Sequence, residues 1–131
     1  MKKFFSNLFG SKEGNDTNTA KILSTYEGIV HWLADKAPEN WNEAVVAAKV
    51  FDDSRHMKYF YFVGSENKKK LIDLSMDEET PLFNMLHELK KQSLEKNEDW
   101  IGCRLLVTNK GKYTVKYFYE DKPLKEIADA V

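Results

Sequence analysis

Apolar residues recur along residues 19–36 at Ile22, Tyr26, Ile29 and Leu33, with Leu23, Val30 and Trp32 widening the stripe. That spacing keeps one face of an α-helix apolar. Asn18 or Thr19 stands where a cap belongs, and Pro38 ends the run. The period then changes. Residues 41–52, rich in Val and closing on Phe51, read as a strand. Asp52-Asp53-Ser54 turns the chain, and residues 57–63 return as a second strand, antiparallel to the first because the connection is short. Alternation puts Met57, Tyr59, Tyr61 and Val63 on one face and Lys58, Phe60 and Phe62 on the other. After a turn at residues 64–67, Leu71-Ile72-Asp73-Leu74 reads as a short third strand.

A second helix is expected over residues 81–97, with Thr80 as cap, Pro81 at the first helical position and Leu82, Met85, Leu86 and Leu89 as its apolar stripe. Trp100 to Val107 reads as a strand, Asn109-Lys110-Gly111-Lys112 as a hairpin turn and Tyr113 to Tyr119 as the returning strand. Tyr113, Val115, Tyr117 and Tyr119 share one face, and Thr114, Lys116 and Phe118 the opposite one. Residues 123–131 form a short terminal helix with Leu124, Ile127 and Ala128 inward. The order is α-β-β-(β)-α-β-β-α. The predicted class is α+β: an antiparallel sheet of four to five strands, with two main helices and a short C-terminal helix, the helices packed on one side. Residues 1–18 read as a flexible basic tail and linker, and 19–131 as a single domain.

The chain of 131 residues is 42% hydrophobic and 31% charged, a globular composition. Its net charge of −1 argues against a nucleic-acid binder that works by bulk charge. Only Arg55 and Arg104 are arginines, so few bidentate phosphate clamps are available. Once the tail is set aside, the body is mildly acidic. The single cysteine, Cys103, excludes an internal disulfide and a multi-cysteine zinc site and suits a reducing cytosol. No apolar run approaches the length of a membrane span, and the Phe-rich start is broken at Ser6 and Asn7, without the apolar core of a signal peptide.

Catalytic chemistry is not assembled by spacing. His31, His56 and His87 include no i, i+4 pair, and no glycine-rich phosphate loop is present. Cys103 faces the same way as Ile101, Leu105 and Val107 and reads as a small core residue. No cofactor or metal is implied. Asp73, Asp77, Glu78 and Glu79 put four acids into seven residues ahead of the second helix. Such a run either complements a helix N-terminus or is presented to a basic partner, a nuclease site being one example. Aromatics on both strand faces imply that both sheet faces are covered, one by the helices and the other by a partner protein, since Tyr and Trp are enriched at interface hot spots. Lys58, Lys68, Lys69, Lys70 and Lys116, interleaved with strand aromatics, leave open a nucleic-acid-binding sheet, and Cys103 or His56 a small enzyme.

The pattern Trp41, Ala44-Val45, Val50, Asp52-Asp53-Ser54, Tyr59-Phe60-Tyr61-Phe62, then Leu82, Leu86 and Leu89 on a helix, then Trp100, Gly111-Lys112-Tyr113, Tyr117 and Tyr119-Glu120-Asp121, resembles the YezG-like immunity-protein family. The match runs over roughly residues 20–122. The resemblance implies a small cytoplasmic α+β protein encoded beside a secreted bacterial toxin, as in contact-dependent inhibition. Such a protein binds the toxin's C-terminal domain, often a nuclease, and occludes its active site or substrate path. It brings no catalytic residues, no nucleic-acid or membrane partner and no oligomeric state. On this reading Asp52, Asp53, Asp73, Asp77, Glu78 and Glu79 face the toxin, with Tyr59, Tyr61, Tyr117 and Tyr119 as aromatic anchors.

Overall fold

The computed structural model describes residues 17–37, 40–50, 56–64 and 68–129. Its elements are α1 (Thr17–Lys36), β1 (Trp41–Lys49), β2 (His56–Val63), β3 (Lys68–Leu71), α2 (Met76–Leu94), β4 (Gly102–Thr108), β5 (Tyr113–Phe118) and α3 (Leu124–Asp129). The strands form one antiparallel sheet in the order β3-β2-β1-β4-β5. This is the expected α+β class. β1 is the central strand, and Ala44 to Ala48 are fully buried in succession. A strand covered on both faces needs a continuous apolar run rather than alternation, and Ala44-Val45-Val46-Ala47-Ala48 supplies it.

The two faces bury different helices. Ala44, Val46, Ala48, Cys103, Leu105 and Val107 pack with Ile22, Ile29 and Leu33 of α1 and Leu82, Leu86 and Leu89 of α2. Val45, Ala47, Phe60 and Phe118 pack with Ile127 and Ala128 of α3. Helices therefore cover both faces, which corrects the expectation of helices on one side. The alternating faces of β2 and β5 required this, because Phe60 and Phe118 point away from α1 and α2.

Two elements also differ from expectation in their boundaries. The third strand is Lys68–Leu71 rather than residues 71–74. Its lysines pair with β2 as an exposed edge, so apolar content was no guide to it. The second helix starts at Met76, five residues before Pro81, because Ser75 caps it. Pro81 lies inside the helix, where it cannot donate to the Asp77 carbonyl. The helix ends at Leu94, three residues before the expected 97, and the chain leaves it through a turn that closes at Asn97, which adopts a left-handed conformation with φ 63°. The Glu98 N–H bonds the Ser93 carbonyl at 3.0 Å and the Asn97 N–H bonds the Leu94 carbonyl at 2.9 Å, closing the last turn. The Asp52-Asp53-Ser54 turn and Pro38 lie outside the described residues.

Candidate functional site

The acidic run lies at one corner of the molecule, where β3 passes into α2. Asp73 is exposed in the connection, and Asp77, Glu78 and Glu79 form the first turn of the helix. Ser75 and Glu78 close a capping box there. The Glu78 N–H donates to Ser75 Oγ at 3.2 Å, and the Ser75 N–H donates to Glu78 Oε1 at 3.0 Å. Those backbone and hydroxyl contacts hold the Glu78 carboxyl below the usual glutamate range, with Lys36 a further cause. The Glu78 carbonyl accepts from Trp32 Nε1 at 3.3 Å, which ties this turn to α1. Glu79 accepts a hydrogen bond from the Tyr59 hydroxyl of β2. Two of the four acids are thus built into the fold, while Asp73 and Asp77 project into solvent.

The tyrosines separate in the same way. Tyr59 and Tyr61 are half-buried on the α1/α2 face, and Tyr59 meets Trp32 edge-on at 5.7 Å. Tyr117 stacks on Trp100 at 5.0 Å and shares a hydrogen bond with the Tyr26 hydroxyl. Burial raises the Tyr117 hydroxyl above the ordinary tyrosine value. Tyr119, just past β5, is 57% exposed. Three strand spacings separate β2 from β5, roughly 14 Å. The structure therefore gathers Asp73, Asp77, Glu78, Glu79, Tyr59 and Tyr61 near one sheet edge and leaves Tyr117 and Tyr119 at the other. Asp52 and Asp53 lie outside the described residues.

Sequence reasoning missed two members of this corner. Leu71 and Met76, each 69% exposed, flank the acidic connection, while Ile72 between them is buried. The Ser75-Met76-Asp77-Glu78 spacing, a capping-box signature, was the available signal for a helix starting here.

The other chemistries fare differently. Cys103 is 1% exposed, and burial pushes its thiol up to about 12, so a nucleophilic thiolate is not available. Among the described residues no three His, Cys, Asp or Glu side chains group as a metal site would require. Lys58, Lys69 and Lys116 share the α3 face with Phe60, Phe62 and Phe118, whereas Lys68 and Lys70 point to the opposite face. Lys69 is engaged with Asp129 at 3.4 Å and lies 4.3 Å from the Phe60 ring centre. α3 covers the middle of that face, so among the described residues no continuous basic stripe runs across the sheet. Among the described residues no helix is long and apolar enough to cross a membrane.

The fold is that of an α+β protein with one five-stranded antiparallel sheet and three helices among the described residues. A family model described as "Immunity protein YezG-like" matches residues 22–129, which take in every strand, α2, α3 and most of α1. The chain belongs to this YezG-like immunity protein family. It is 27% identical over 123 residues to the immunity protein YezG of Bacillus spizizenii (strain ATCC 23059 / NRRL B-14472 / W23), a match covering 84% of this chain and 76% of that relative.

Proposed function

We propose that this chain is a cytoplasmic, non-enzymatic immunity protein that neutralises a cognate secreted toxin by binding its C-terminal domain and covering the active site or substrate path. The observation that carries this reading is the family match over nearly the whole described fold. The burial of Cys103 supports binding rather than covalent chemistry. The toxin is proposed to be a nuclease. Residues 73–99 carry eight acids against three lysines, and an acidic surface complements the positive surroundings a nuclease needs to hold phosphates. The contact surface is proposed at the corner of β3 and α2. There Asp73 and Asp77 supply charge, and Leu71 and Met76 supply exposed apolar area.

The test is co-expression of the full chain with the C-terminal domain of the large secreted protein encoded beside it. A stoichiometric complex and rescued growth are expected. A toxic neighbour that neither binds this chain nor is relieved by it overturns the reading.

A further inference from the structure

β3 is the outermost strand on its side of the sheet, and among the described residues it pairs with β2 alone. All four of its residues are exposed. The direction of its backbone groups follows from the ladder. The Ile72 N–H donates to the Tyr59 carbonyl at 3.4 Å. Bonded residues alternate along an antiparallel pair, so Lys70 and Lys68 bond back to Tyr61 and Val63, their register partners. The N–H and C=O groups of Lys69 and Leu71 then point away from β2, at the spacing a further strand requires.

The side chains say what kind of strand fits. Lys69 is already engaged with Asp129. Lys68 and Lys70 lie together on the α1/α2 face of the edge, beside Tyr61, and neither is paired with an acid among the described residues. Leu71 stands on the other face, 69% exposed. A second copy meeting this edge sets lysines against lysines, and like charges directly opposed repel. The same lysines favour an acidic strand. A nucleic acid fits less well, because its phosphates offer no N–H donors for the outward carbonyls of Lys69 and Leu71.

We propose that an extended acidic segment of the cognate toxin adds to β3 as a sixth strand, with acids at alternate positions opposite Lys68 and Lys70 and an apolar side chain beside Leu71. This rests on the toxin-binding reading above and names the mode of contact.

The experiment uses the full chain with its cognate toxin domain and reads amide hydrogen exchange, free and in complex. Exchange at Lys69 and Leu71 slows on binding. Leu71→Pro removes an outward N–H while leaving the β2 ladder bonds in place. It weakens the complex about tenfold or more with circular dichroism and melting unchanged. Lys68→Glu with Lys70→Glu weakens it by about tenfold, whereas Lys110→Glu with Lys112→Glu, an equal change of net charge in the β4–β5 hairpin, does not. A tight complex in which both amides exchange as in the free chain overturns the proposal while leaving toxin binding intact. Protection of those amides by a second copy, as concentration rises, or by an oligonucleotide also overturns it. Failure of any complex to form removes the toxin-binding reading itself, and this inference with it.

Discussion

Glu79 of α2 accepts a hydrogen bond from the Tyr59 hydroxyl of β2, so one carboxylate of the acidic run is held against the sheet rather than offered to solvent. The same Tyr59 ring meets Trp32 of α1 edge-on. One tyrosine therefore links α1, α2 and the sheet. Tyr59→Phe keeps the ring contact and removes the bond to a charged acceptor, and is expected to lower unfolding free energy by about 1–2 kcal/mol in urea titrations. Toxin affinity should be unchanged. Weakened binding at full stability would make the hydroxyl a contact instead.

Glu78 answers for the neighbouring turn. Its carboxyl is held below its ordinary 4.5, chiefly by the Ser75 backbone N–H and then by the Ser75 hydroxyl. A depressed folded value means the ionised form is favoured by folding. Its contribution is present above pH 4.5 and is lost as pH falls below that, through the folded value. Glu78→Gln should flatten the acid limb of the melting temperature against pH below 4.5, relative to the native chain. Ser75→Ala should cost about 1 kcal/mol at neutral pH. A substitution of Glu78 by Lys consequently perturbs the helix end as well as surface charge. Reversal at Asp73 and Asp77 is the cleaner probe of an acidic contact.

The periodicities of residues 22–33 and 57–63 placed α1 and both faces of β2, because burial there is decided by apolar spacing alone. β3 was placed three residues late because its residues are exposed and three of the four are lysines, and its strand character comes from pairing with Tyr61 and Val63 rather than from its own side chains. The start of α2 was misplaced because Pro81 resembles a first-turn proline, although the Ser75 and Glu78 pair was present in the sequence. The acids were legible as a cluster. That Glu79 is committed to the fold was not, since it depends on where Tyr59 arrives in space, whereas the Ser75 spacing was the signal for Glu78.

Gly102 marks how closely α3 approaches the sheet. A Cβ there would lie 2.6 Å from Ile127 Cδ1 and 3.3 Å from the Ala48 carbonyl oxygen. Gly102→Ala should destabilise by about 1–3 kcal/mol through overpacking. Ile127→Val withdraws the clashing methyl at a cost of about 1 kcal/mol on its own. The double variant should be more stable than the sum of the two single losses, because the methyl removed is the one in conflict. Simple additivity in denaturant melts would mean that the Ala48 backbone, not Ile127, is the obstacle.

Alkaline stability reports on the buried hydroxyls and the thiol behind the sheet. Burial raises Cys103 from 9.0 to about 12 and Tyr26 from 10.0 to about 12, and it raises Tyr113 and Tyr117 as well. Each of these groups is neutral when protonated, and folding favours that form. Their contribution is fully present below the unfolded values and is lost as pH rises through the folded ones. The melting temperature should hold to about pH 9 and fall progressively toward pH 12. Cys103→Ala should remove the earliest part of that fall and leave the tyrosine part, which sets in above pH 10. The same burial makes the thiol a reporter of opening. A maleimide at pH 8 should modify Cys103 at a rate that tracks the unfolded population and so rises steeply with sub-denaturing urea. A rate that stays the same as sub-denaturing urea is added would show that the thiol is reached without unfolding and would restore it as a reactive group.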